Sequence, residues 1–296
     1  MARRARVVYD RKACRLTLMG MSGVGKTRLA RRLPRETWFH FSGDYRIGTK
    51  YLTEPMVDLL KRRAFLDAEL GPLLRADTIH LGVNVSFDDL SALSYFLGRL
   101  GDERKGGLGA DAFFKRQDSF RQAEIKAMRD VPAFIERAQE IYGYPCFIND
   151  AGGSLCEIMG NPDGQEDVST IISEHTVLVY IKAGPQVQEA LLERALNAPK
   201  PMYFGKDFLT RSIDQFCQEH TIRGVQDMDP NLFYRWVFPR LIDYRNKLYD
   251  DLAQRYGITI TTDQLAKIEN YHDPRDVENA FLNMIEEAIA QVSYAD

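Results

Sequence analysis

Residues 20–27 read Gly-Met-Ser-Gly-Val-Gly-Lys-Thr, between an alternating apolar segment, Arg15-Leu16-Thr17-Leu18-Met19, and a stretch whose Leu29 and Leu33 recur at helical spacing before Pro34 stops it. Strand, glycine-rich turn and helix in that order leave the chain few folding options, because the turn must carry the end of a buried strand straight into a helix. Gly20, Gly23 and Gly25 free the backbone to curl with its N–H groups pointing inward, and the helix N-terminus adds its positive dipole end. The eight residues complete the pattern G-x-x-x-x-G-K-[ST], which at ordinary residue usage arises by chance in roughly 1% of chains this long. The flanking strand and helix make coincidence rarer still. Such a loop cradles phosphate. Gly20, Met21, Ser22, Gly23, Val24, Gly25 and Arg28 are expected to surround the anion, with Lys26 on the β and γ phosphates and the Thr27 hydroxyl holding Mg²⁺. The expected ligand is ATP with Mg²⁺.

The chain has 296 residues, enough for one large domain or two small ones, and a hydrophobic fraction of 45% can fill a sizeable core. A net charge of −3 gives no global attraction to nucleic acid or to an anionic membrane. Met1-Ala2-Arg3-Arg4-Ala5-Arg6 is basic, but no apolar stretch follows, so it is read as a frayed tail and not a signal peptide. No run is apolar for long enough to span a bilayer. Cys14, Cys146, Cys156 and Cys217 are scattered, as are the five histidines, without the spacings of a zinc site. Reduced thiols in a cytoplasmic protein are expected, and Cys146, inside an apolar run, reads as core.

Five short apolar runs read as buried strands: Leu16–Met19, Trp38–Phe41, Cys146–Asn149, Val177–Ile181 and Ile258–Ile260. Helical patterns between them predict an α/β fold, a five-stranded, mainly parallel sheet with helices on both faces. The spacing between runs is uneven, which predicts helical insertions into a nucleotide-binding core of 1–55 and 143–296. One insertion covers 56–142 and is a candidate acceptor or lid subdomain; a second, irregular or helical, covers about 197–256. Thr53-Glu54-Pro55 opens a helix, Ser86 and Asp89 resemble a capping box, and Gly101–Gly109 reads as a flexible loop. Ala112–Tyr142 is helical, bent or restarted near Pro132 with Asp130 as cap. In the second insertion Pro199, Pro201, Gly205, Pro230 and Pro239 interrupt the pattern, leaving a helix near Leu241–Tyr256. Asp273-Pro274 caps a last helix with Val277, Phe281, Ile285 and Ile289 inward.

Pro145-Cys146-Phe147-Ile148-Asn149-Asp150 ends a buried strand in a carboxylate, and beside a phosphate loop Asp150 is expected to serve Mg²⁺ directly or through water. Gly152 and Gly153 tighten the next turn, and Glu157 could order a water or cap the next helix. The second strand leads into Ser42-Gly43-Asp44-Tyr45-Arg46. This segment is similar to the Asp-Gly-Asp-x-x-Arg segment of adenylylsulfate kinases, with Ser for the first Asp and Arg one position earlier. The loop at 20–27 also resembles that of shikimate- and gluconate-kinase-like proteins, so the chain resembles the small-molecule and nucleotide kinases of the P-loop superfamily. The resemblance implies that Asp44 accepts the acceptor hydroxyl's hydrogen bond and that Arg46 binds an anionic group. It also implies a lid after the fourth strand, where Arg194 and Lys200 could close over the transferring phosphate, although the closely spaced double arginine of nucleotide kinases is missing. The resemblance covers about half the chain and neither insertion. In the first insertion, Arg121 and Glu124 read as a surface i,i+3 pair.

The leading expectation is therefore a phosphotransferase moving phosphate from ATP to a small, hydroxyl-bearing, anionic acceptor. The alternative is an ATPase or GTPase acting as a nucleotide-dependent switch with a protein partner. Asp150-Ala151-Gly152-Gly153 resembles the Asp-x-x-Gly segment of GTPases, but no Asn-Lys-x-Asp motif follows a strand and Leu-Ser-Gly-Gly-Gln is absent. Neither membrane nor nucleic acid is an expected partner.

Overall fold

The computed structural model describes residues 9–159 and 166–293. The basic segment Met1–Arg6 lies outside the described residues. The chain divides into two compact units: Met1–Gly43, Met128–Pro199 and Tyr234–Asp296 form one, and Asp44–Ala127 with Lys200–Phe233 form the other. Among the described residues no helix is long and apolar enough to cross a membrane.

The first unit is built on a sheet of five strands: β1 Arg15–Met19, β2 Trp38–Ser42, β3 Cys146–Asp150, β4 Val177–Lys182 and β5 Gly257–Thr261. Their order is β2-β3-β1-β4-β5, and every pairing is parallel. Each expected apolar run became a strand, extended by a residue or two at its ends. A parallel strand covered on both faces must be apolar at nearly every position. Leu16, Leu18 and Met19 are accordingly buried, and so are Phe147 and Ile148. The polar exceptions bond among themselves: Thr17 and Thr176 share a hydrogen bond of 2.8 Å, and Asn149 Nδ2 donates to Thr17 Oγ1 at 3.2 Å.

This order positions the site. From β1 the chain crosses over β3 to reach β2, and from β3 it crosses over β1 in the opposite direction to reach β4. Right-handed crossovers in opposite directions lie on opposite faces, which opens a crevice at the carboxyl ends of β1 and β3. Leu18 pairs with Asp150, and Asp150 pairs with Ser42, so three strands end level with one another there. Helix α1, Lys26–Arg32, follows β1 directly. The last helix, Pro274–Ser293, buries Val277, Phe281 and Ile285, and Asp273 Oδ1 accepts from the Arg275 N–H at 2.8 Å at its start. Ile289 is only half-buried.

Several local expectations are met in part and others are corrected. The helical stretch breaks into Ala110–Arg129 and Val131–Glu140, with Asp130 between them and Pro132 in the first turn of the second, where its missing N–H costs nothing. Ser86 and Asp89 do form a reciprocal turn: Asp89 N donates to Ser86 Oγ at 3.0 Å and Ser86 N to the Asp89 carbonyl at 3.1 Å. No helix begins at that turn. The helix starts at Ser91, whose N–H is taken by Asp89 Oδ1 at 2.9 Å. The 27-residue helix Pro230–Tyr256 starts eleven positions earlier than Leu241 and carries Pro239 in its interior, losing one backbone hydrogen bond. A further helix, Lys206–Glu219, precedes it. Glu124 has no exposed surface, so it is not half of a surface pair with Arg121.

In the second unit the helices Thr53–Ala64, Leu70–Arg75 and Ser91–Leu97 accompany most of Ala110–Arg129. Buried Gln117 fixes the segment before helix Lys206–Glu219 by accepting from Phe204 N at 2.9 Å and donating to the Met202 carbonyl at 3.3 Å. Phe216 meets Phe233 edge to face at 5.2 Å.

Candidate functional site

The loop between β1 and α1 takes a shape that side chains would resist. Gly23 and Gly25 have φ of 96° and 101°, in the left-handed region. Gly20 carries φ of 147°, and a Cβ there would lie 2.7 Å from the Ile181 carbonyl oxygen of β4. Met21 and Val24 are buried and anchor the loop, while Ser22 and Gly23 face solvent at its apex. Lys26 is buried, and its Nζ donates to the carbonyls of Gly20 at 2.7 Å and Met21 at 3.1 Å. The ammonium is thus tied back to the first two residues of the loop.

Thr27 is the next residue, at the start of α1. Its Oγ1 donates to Asp150 Oδ2 at 2.6 Å, although the two are 123 residues apart in the chain. Asp150 is buried, at the end of β3. A hydroxyl and a carboxylate brought together beside the phosphate loop are the hard oxygen donors that Mg²⁺ takes, one or two from protein and the rest from water and phosphate. The residues present fit the ion. No group of three or more His, Cys, Asp or Glu able to hold a metal occurs among the described residues. His40, on the neighbouring strand, brings Nε2 to 3.6 Å from the same carboxylate oxygen.

Two further elements close on the loop. From helix Pro185–Asn197, which follows β4, Arg194 Nη2 and Leu191 Cδ2 come so near Gly23 that a Cβ there would collide with the guanidinium and lie 2.8 Å from the leucine carbon. After Asp150 the chain turns through Gly153, where a Cβ would lie 2.9 Å from the Ser22 nitrogen. That turn is held from behind by helix Pro230–Tyr256: Tyr249 Oη donates to the Gly153 carbonyl at 2.7 Å, and Arg245 pairs with Glu157, Nε to Oε1 at 2.7 Å. Glu157 is thus a buried ion-pair partner. Burial, the largest single influence, opposes the Arg245 charge, but the Glu157 carboxylate with the smaller contributions of Cys156 and Tyr249 holds the guanidinium pKa above its ordinary value. Burial likewise drives the Tyr249 phenol pKa well up, keeping it a neutral donor.

Both partners of that pair are at most 5% exposed, so removing one strands a buried charge, a loss of about 3–5 kcal/mol. Glu157→Gln is expected to lower unfolding stability by that order in a denaturant titration, and Arg245→Met/Glu157→Leu to recover much of it. A single variant as stable as the wild type would show that the pair does not hold the turn.

The remaining expected residues are placed as follows. Arg28 points outward and pairs with Glu269 at 2.8 Å. Asp44 and Arg46 belong to the second unit, in the short helix Gly43–Arg46 that continues β2. That helix runs into a π-helical turn, Ile47–Tyr51. The wider winding of a π-helix, about 4.4 residues per turn, sets positions five apart about 50° from one another, whereas an α-helix would set them about 140° apart. The Arg46 guanidinium accordingly sits 5.7 Å from the Tyr51 ring centre. Lys200 is exposed and also counts with the second unit. His40, Arg245 and Tyr249 carried no signal in the sequence as parts of the site; the first lies within an apolar strand and the other two within an unremarkable helix.

No protein-family model matches the sequence, and no curated protein does. Among solved structures, a shikimate kinase from Acinetobacter baumannii in complex with shikimate is similar over 94% of this chain and 95% of that one, with a TM-score of 0.40 and 14% identity. A likeness that low carries no argument.

Proposed function

We propose that the chain is an ATP- and Mg²⁺-dependent phosphotransferase acting on a small, hydroxyl-bearing, anionic acceptor. The observation that carries this reading is the hydrogen bond from Thr27 to Asp150 at 2.6 Å beside the buried Lys26. It joins the phosphate loop to a carboxylate on the adjacent strand, as Mg²⁺·nucleotide chemistry requires. When bound, Mg²⁺ would offset the negative charge of the phosphates. Lys26 would bind the β and γ phosphates, and Thr27 and Asp150 would hold the ion. Arg194, held over Gly23, would stabilise charge on the transferring group. Asp44 would accept a hydrogen bond from the acceptor hydroxyl, orienting it in line with the phosphorus, and Arg46 would bind the acceptor's anionic group. Positioning and charge account for most of the catalysis in such a reaction.

A second reading is supported by the turn at Gly153. Its approach to Ser22 and its tie to Tyr249 would suit a switch, in which the γ phosphate governs a turn read by a protein partner. The two readings part on the acceptor. Incubation with γ-labelled ATP and pools of nucleosides, nucleotides, sugars and sugar acids is expected to label one pool. If no pool accepts phosphate and Asp44→Asn hydrolyses ATP like the wild type, the transferase reading fails and the partner-regulated ATPase leads.

Asp150→Asn tests the carboxylate separately. Much nucleotide affinity is expected to survive, while kcat falls and the Mg²⁺ concentration for half-maximal activity rises. An unchanged Mg²⁺ dependence would make Asp150 a structural partner of Thr27 alone.

A further inference from the structure

A group of cations in the second unit lies outside everything assigned above. Arg116, half-buried in helix Ala110–Arg129, donates from Nη1 to the Phe96 carbonyl at 2.9 Å. A Cβ on Gly98 would lie 3.4 Å from the same nitrogen, so the guanidinium is fitted against the end of helix Ser91–Leu97. One residue before Phe96, Tyr95 is 49% exposed, and its phenol oxygen accepts from Arg63 Nη1 at 3.3 Å. Arg63 comes from a third helix, Thr53–Ala64. Two guanidiniums from different helices are thus tethered to consecutive residues of one short helix.

The tethers are a carbonyl and a phenol, and among the described residues no ion pair joins either arginine to a carboxylate. Burial first, and the neighbouring Arg63 charge second, push the Arg116 pKa below its ordinary value. The Arg116 bond by itself has a structural explanation, since a cation at a helix C-terminus is favourable. Arg63, in the last turn of its own helix, is favoured there for the same reason, but that does not fix where a long, exposed side chain points, and here it is bonded beside a like charge. Like charges held together gain from an anion between them, and the planar guanidinium fork matches the paired oxygens of carboxylate and phosphate. The Tyr95 hydroxyl, while accepting from Arg63, still has its own proton to donate.

We infer that Arg63, Arg116 and the Tyr95 hydroxyl form a binding site for an oxyanion, the phosphate monoester or carboxylate of a small molecule. The site lies wholly within the second unit and does not depend on activity at the phosphate loop.

Titration calorimetry with inorganic phosphate, and separately with succinate, tests this on the wild type, Arg63→Gln, Arg116→Gln and Lys26→Ala. Each arginine variant is expected to weaken binding of the preferred anion about 10–100-fold, the range for losing hydrogen bonds to a charged group. Lys26→Ala is expected to lose any phosphate taken up by the loop at 20–27 but to keep the binding component that the arginine variants lose. Preference for phosphate over succinate, or the reverse, identifies the anion class. Thermal unfolding without added anion separates binding from structure: Arg63→Gln should melt at or above the wild-type temperature, because it removes repulsion. The inference is overturned if the wild type binds neither anion, if both arginine variants bind as the wild type does, or if only Lys26→Ala abolishes binding. It is also overturned if Arg63→Gln melts clearly below the wild type, which would make the arginines a structural clasp.

Discussion

Lys26→Ala is expected to abolish turnover and to weaken ATP binding, the largest effect of any single substitution in this chain. The side chain is 6% exposed, and its ammonium is already fixed by the carbonyls of Gly20 and Met21. It therefore loses little freedom when a triphosphate arrives, and its charge acts where water is scarce. Removing one preorganised hydrogen-bond donor to developing charge costs roughly 10²–10³ in rate, and in the proposed reaction the donor would also be the cation that neutralises the β and γ phosphates. A loss beyond about 10³-fold is expected, with nucleotide affinity reduced in a binding titration. Lys26→Arg is expected to rescue poorly, because a flat, bulkier guanidinium cannot occupy the space of a compact ammonium between two carbonyls. Wild-type-like hydrolysis or transfer by a folded Lys26→Ala protein would rule out residues 20–27 as the reacting loop.

The core of this arrangement was legible in the sequence because it is local or periodic. The phosphate loop is eight consecutive residues with a strand before and a helix after. The strands read as unbroken apolar runs because parallel strands covered on both faces have no polar side, and Asp150 stood out as a carboxylate ending such a run. Features that depend on tertiary context were not legible. Arg245 and Glu157 are 88 residues apart, and nothing in either stretch points to the other. His40 reaches Asp150 only because β2 pairs with β3, not with the β1 that precedes it in sequence. The start of helix Pro230–Tyr256 was hidden by Pro239, since a proline inside a helix is normally a reason to end it. Ser86 and Asp89 carried the right spacing for a helix cap, and the same hydrogen bonds closed an isolated turn. The anion site inferred at Arg63 and Arg116 draws on three helices, so no window of sequence contains it.

Asp44→Asn is expected to separate transfer from hydrolysis. Asp44 lies two residues beyond the end of β2, whose Ser42 is paired in register with Asp150. If it serves the acceptor and not the nucleotide, replacing it with the isosteric amide leaves ATP affinity nearly intact. Acceptor-dependent phosphoryl transfer should then fall by about 10²–10⁴-fold, the usual consequence of losing a positioned proton acceptor. ATP hydrolysis should fall far less, because water does not need the acceptor's binding groups. The isosteric change matters: the amide keeps the size of the side chain and one carbonyl oxygen, so a fall in transfer reports lost charge and proton acceptance and not a collapsed pocket. Transfer and hydrolysis falling together by the same factor would put Asp44 in nucleotide or Mg²⁺ binding instead. Neither falling would reduce it to a residue of the turn after β2 and leave the acceptor's hydroxyl to be oriented by another group.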